Sequence, residues 1–220
     1  MKICVFALLL LGFSHQATAQ VRSQEGSFRV RQIAEGPLSA EELIVYEKTL
    51  REQCVEREGF DLSQLITIGK EIWQIVKDGA PTINFATEVA TAIPMGAECA
   101  FKMSNWSPPR SKTFEMTYKN KFGGEMIYFT YKIIYSYGGK YQGKGAYLAN
   151  VSIHPVDIRL FWGQSFDAFV KTAKAINIGS AEEPVAGLEI SLEWEIKNPV
   201  METQSHRSYF VDGNGQLLTL

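Results

Sequence analysis

The chain has 220 residues, 45% hydrophobic, 12% aromatic and 21% charged, with 22 Lys plus Arg against 24 Asp plus Glu. That length and apolar content support one folded core and exclude a disordered, collagen-like or coiled-coil chain. A formal net charge of -2 argues against a nucleic-acid binder, which needs a strongly basic surface.

The first nineteen residues read as an address. Lys2 gives a positive n-region, residues 3–13 (ICVFALLLLGF) an unbroken apolar h-region, and Ala17-Thr18-Ala19 a small-x-small cleavage site. Residues 1–19 are therefore expected to be a signal peptide, and the protein to be periplasmic or secreted. The apolar run is too short to span a bilayer, and no later stretch reaches ~20 apolar residues, so no transmembrane span is expected. Cys4 departs with the signal. Cys54 and Cys99 remain, an even pair in an oxidising compartment, and a disulfide between them is expected. By loop entropy it stabilises by about 4 kcal/mol. Two buried free thiols are the other reading, since Cys is often fully buried.

Residues 20–38 are polar and irregular and predict a flexible arm. Residues 39–80 predict a helical segment. Ser39 and Glu42 have capping-box spacing, and Leu43, Tyr46, Leu50 and Cys54 fall on one helix face. Gly59 ends that helix. Asp61 opens a second over 62–77, with Leu65, Ile68, Ile72, Ile75 and Val76 as its stripe, stopped by Gly79 and Pro81.

From about residue 84 the period becomes two. Ile127, Phe129, Tyr131, Ile133, Tyr135 and Tyr137 point one way, and Tyr128, Thr130, Lys132 and Ser136 the other. The glycine-rich stretch 138–145 reads as a loop, after which Tyr147, Ala149, Val151 and Ile153 alternate until Pro155 ends the strand. Leu188, Ile190, Leu192, Trp194 and Ile196 alternate with Glu189, Ser191, Glu193 and Glu195. The pattern predicts a mainly β, α+β protein: an antiparallel β-sandwich over residues 81–220, preceded by two amphipathic helices and forming one unit with them. A barrel has the same periodicity.

Catalytic signals are thin. After the leader only His154 and His206 remain, and no nucleophile elbow or metal motif accompanies them. Glu189, Glu193 and Glu195 share a strand face, as carboxylates on any solvated face do. Asp212-Gly213-Asn214-Gly215 lacks the end positions of a calcium loop and reads as a hairpin turn. Asn105 and Asn150 head glycosylation patterns. No cofactor or metal is expected.

The distinctive feature is aromatic. Tyrosines crowd the hairpin around 138–145 beside lysines, and the loop SNWSPPRS (104–111) adds Trp106. Trp106, Tyr137, Lys140, Tyr141, Lys144 and Tyr147 are the candidate contact set, for a protein, glycan or lipid surface. The leading reading is an exported, soluble, non-enzymatic binding module. A membrane-active or pore-forming protein is the alternative, on the strength of long strand 125–137 and helix 62–77. An amphipathic helix ahead of an aromatic-rich sandwich resembles the actinoporin toxins in broad plan, with no motif of theirs matched residue by residue. A carboxylate-dependent hydrolase is the third reading and requires a Glu of raised pKa in a cleft. The sequence sets no oligomeric state.

Overall fold

The computed structural model describes residues 22–23, 26–55, 67–75, 82–161, 163–198 and 201–220. The signal peptide expected over 1–19 lies outside them. In chain order the elements are β1 (Arg22–Ser23), β2 (Gly26–Pro37), α1 (Ala40–Val55), β3 (Thr67–Ile75), β4 (Thr82–Ala92), a 3-10 turn (Ala100–Lys102), β5 (Arg110–Asn120), β6 (Glu125–Tyr141) and β7 (Lys144–Leu160). There follow β8 (Ser165–Thr172), β9 (Ile176–Asn177), β10 (Ala186–Asn198), β11 (Met201–Asp212) and β12 (Leu217–Thr219).

All the strands belong to one sheet, in the order β1-β2-β5-β6-β7-β4-β8-β10-β11-β12, with β3 beside β4 and β9 beside β10. Every pairing is antiparallel except β4 with β8. The sheet curls into a half-barrel and closes its dry face on itself. Phe28 of β2 meets Trp194 of β10 edge-on at 5.8 Å. Phe114 of β5 lies 4.8 Å from Tyr209 of β11, and Phe129 of β6 lies 5.0 Å from Phe166 of β8. The alternation read from the sequence is the alternation observed: Phe129, Tyr131, Ile133, Tyr135, Ile190, Leu192 and Ile196 have no exposed surface.

Three expectations are overturned. The two-sheet sandwich behind two helices is a single curled sheet with one helix among the described residues. Alternation marks a dry face but does not say whether two dry faces belong to two sheets or to one that bends. The bend has a local cause, a series of register shifts between β6 and β7 from Thr130 to Tyr141, and bulges of this kind increase twist. The second helix is absent over Thr67–Ile75, which is β3, paired antiparallel with β4. Thr67, Ile68, Ile72, Trp73 and Ile75 are strand formers, and pairing with β4 overrides a helical spacing. The plan that resembled the actinoporin toxins loses its basis with that helix. The arm expected over 20–38 contains β2, hydrogen-bonded along its length to β5.

Two punctuation marks also read differently in three dimensions. The glycine-rich loop 138–145 is mostly strand, with only Gln142 and Gly143 between β6 and β7. Their φ values of 52° and 78° are those of a type I′ hairpin turn. Pro155 does not end β7. It sits opposite Tyr131 at a bulge, where a missing N–H is tolerated.

Helix α1 forms as its cap predicts. The Ser39 N–H donates to Glu42 Oε2 at 2.9 Å and the Glu42 N–H to Ser39 Oγ at 3.3 Å. The helix covers the outer face of the β6–β7 pair. The Tyr46 hydroxyl, from a side chain 6% exposed, donates to Ser136 Oγ at 2.5 Å, and Glu42 pairs with Lys132. That cover explains why β7 is buried on both faces from Leu148 to Ile153.

Candidate functional site

The six contact candidates do not form one surface. The Trp106 indole N–H donates to Ala100 O at 2.9 Å, and its ring lies on the bare backbone of Gly139, where a Cβ would fall 2.5 Å from the ring. The Tyr141 hydroxyl donates to Gly96 O at 3.0 Å. Tyr147 is 9% exposed and lies against Gly145. The Lys140 backbone bridges to Ser104 in both directions, and Lys144 is exposed beside the hairpin turn. Glycine lets the strands bend here, and the rings of Trp106 and Tyr147 cover the backbone it leaves bare.

Tyr137 is placed differently. Half-buried, it rests on Gly215 in the β11–β12 turn and faces a cleft of 360 Å³ lined by Glu35, Gly36, Pro37, Pro108, Pro109 and Arg110. The cleft lies where β2 ends and β5 begins. The Arg110 guanidinium stands 5.5 Å from the Tyr137 ring centroid. Among the described residues no carboxylate pairs with it. Glu35, on the opposite wall, is 3.4 Å from Lys112 instead. Tyr135 stands behind Tyr137, centroids 6.2 Å apart, and its hydroxyl donates to Gly215 O at 3.2 Å. Burial first, and then the charge of Glu35, push that hydroxyl up to about 12, so it stays a neutral donor.

Proline walls and an arginine beside an aromatic ring line this small cleft. A guanidinium beside an aromatic ring and without a protein carboxylate among the described residues has N–H donors of the kind that bind a carboxylate. Pro108, Pro109 and Arg110 stand in the loop singled out with Trp106. The contribution of Glu35, Gly36 and Pro37 was not visible, because it depends on β2 pairing with β5.

The carboxylates of β10 face outward, and those of Glu193 and Glu195 are paired. Glu193 accepts from Lys171 at 2.6 Å. Hydrogen bonds from Lys197 and then Gln204 hold the Glu195 carboxyl down at about 2, the opposite of what a proton donor requires. With Phe169, Gln204 and His206 they line a second hollow of 310 Å³. His154 Nε2 lies 2.8 Å from Ser152 Oγ, but Ser152 has no exposed surface and cannot meet a substrate. Asp212 Oδ1 accepts from the N–H groups of Asn214 and Gln216 at 2.9 and 3.0 Å, the geometry of a hairpin turn. Asn150 is 4% exposed beneath α1.

Cys99 is 3% exposed just before the 3-10 turn. Cys54 is on α1, and its side chain lies outside the described residues. Among the described residues no group of three metal-ligating side chains occurs, and no helix is long and apolar enough to cross a membrane. No family model, no curated protein and no solved structure matches the chain.

Proposed function

We propose that the protein is an exported, non-enzymatic binding module whose recognition element is the cleft between Tyr137 and Arg110, and that its ligand presents a carboxylate. One observation carries this reading. An arginine without an acidic partner among the described residues is held against a tyrosine ring in a small open cleft walled by three prolines. Its volume lies at the lower end of small-ligand sites, which favours a short acidic molecule or a single acidic group on a partner. Export rests on the leader-like residues 1–19. The fold supplies the frame: Tyr137 is fixed from below by Gly215, and Arg110 opens the long strand β5.

The test is an NMR titration with a panel of small carboxylates and their neutral amides. Carboxylates are expected to move the Arg110 side-chain signals and the Tyr137 ring signals, amides are not, and Arg110→Gln is expected to abolish the response. A carboxylate response that survives Arg110→Gln, or no response from any acid, overturns the assignment.

A further inference from the structure

The opposite end of the same strands carries a different feature. The β5–β6 turn is locked by Asn120, whose side-chain oxygen accepts the N–H groups of Phe122 and Gly124, both at 3.0 Å. The Gly123 N–H bonds Asn120 O at 2.9 Å, with Gly123 at φ 83°. This fixed turn holds Phe122 out into solvent at 85% exposure. At the same end, just past β7, Phe161 is 60% exposed, and its N–H donates to Met126 O at 3.0 Å. The two rings therefore belong to neighbouring connections at one end of the sheet. The Lys121 ammonium lies 5.1 Å from the Phe122 ring, and Lys119 is half exposed 3.5 Å from Glu125. Arg159 stacks on Tyr128 at 4.7 Å.

We propose that this end of the sheet docks on an anionic lipid surface, with Phe122 and Phe161 entering the headgroup layer and Lys119 and Lys121 facing the phosphates. The shape selects the partner. Two rings on separate protruding turns make a poor flat interface but suit a soft one, where aromatic rings and lysines settle together. Lys119 pairs with Glu125 and Arg159 with Asp157, so among these side chains Lys121, beside the Phe122 ring, adds the one net positive charge. The inference is independent of the cleft, which lies at the far end of β5.

The experiment is co-flotation of the purified protein with vesicles of phosphatidylcholine alone or with phosphatidylglycerol at roughly 3:1. The protein is expected to float with the anionic vesicles. Phe122→Ala and Phe161→Ala are each expected to reduce partitioning about tenfold, and Lys119→Ala with Lys121→Ala to reduce it on anionic vesicles only. Arg110→Gln is expected to float as the wild type does. No flotation, unchanged flotation of the double Phe variant at native melting temperature, or loss of flotation with Arg110→Gln overturns the proposal.

Discussion

The hydroxyls of Tyr131 and Tyr209 meet at 2.5 Å, although 78 positions separate them in sequence. The contact joins β6 to β11 across the interior, so it exists only if the sheet has curled. Both side chains have no exposed surface.

Burial pushes the Tyr209 hydroxyl up to about 12, and the Tyr131 hydroxyl well above its ordinary value. Their neutral forms are the folded ones. Below pH ~10, the ordinary tyrosine value, both tyrosines are protonated in folded and unfolded chains alike and their contribution to stability is full. As pH rises from there toward 12, the unfolded chain releases protons the folded chain keeps, and stability falls. At ~1.4 kcal/mol per pKa unit, Tyr209 accounts for roughly 2–3 kcal/mol. Melting temperature is expected to drop steeply between pH 10 and 11.5, less steeply in Tyr209→Phe. A flat profile there contradicts the buried pair.

Tyr46 anchors α1 through its hydroxyl. Tyr46→Phe leaves the buried Ser136 hydroxyl without that partner and is expected to cost about 1–3 kcal/mol. Ile44→Ala, at a position 71% exposed, is expected to stay within about 0.5 kcal/mol. Urea titration of both distinguishes a docked helix from one lying loosely on the sheet, for which the two costs would match.

Gly139 is a steric requirement. A methyl group there meets the Trp106 ring at 2.5 Å. Gly139→Ala is expected to cost about 1–3 kcal/mol and to shift Trp106 emission to the red as the ring is displaced. Gly36, where an added methyl group would meet nothing within 4 Å, is the control. Unchanged stability and emission in Gly139→Ala would mean the ring does not rest where the geometry puts it.

Gln164 is 4% exposed, and neither amide atom has a hydrogen-bond partner among the described residues. Gln164→Met keeps the volume and removes the unmet polar group, so it is expected to stabilise by about 1–2 kcal/mol. Destabilisation in thermal melts would mean that the amide is satisfied by bound water.

We propose that Cys54 and Cys99 are bonded. In support, Cys99 is buried beside the 3-10 turn, and α1, which carries Cys54, packs against that turn. Alkylation before reduction is expected to label neither residue, and reduction to cost about 2–4 kcal/mol. Labelling of both without reductant rejects the bond.

Much of the interior was legible. Period-two alternation placed the buried residues of β6 and β10 on the correct face, and Ser39 with Glu42 located the start of α1. The failures share a cause. At Thr67–Ile75 the spacing was helical but Thr67, Ile68, Ile72 and Ile75 were β-branched, and a strand partner decided between them. At Pro155 and Gly138–Gly139 local breakers were absorbed by bulges, which need a neighbouring strand to exist. The cleft was half legible. Tyr137 and the loop with Arg110 were singled out separately, but only the pairing of β2 with β5 and β5 with β6 brings them to one wall. Phe122 was passed over because exposure is a three-dimensional property.

A sheet that curls without closing ends in strands with a bare row of amides. Beyond Ser27, β2 has no further strand beside it among the described residues. Such a row is a template on which a second copy could grow. Here it carries Arg29, Arg31 and Glu35 and is kinked at Ile33, where its register with β5 slips. Charge and kink are safeguards against edge-to-edge polymerisation. Neutralising the arginines or straightening the kink would convert this edge into a seed for fibrils.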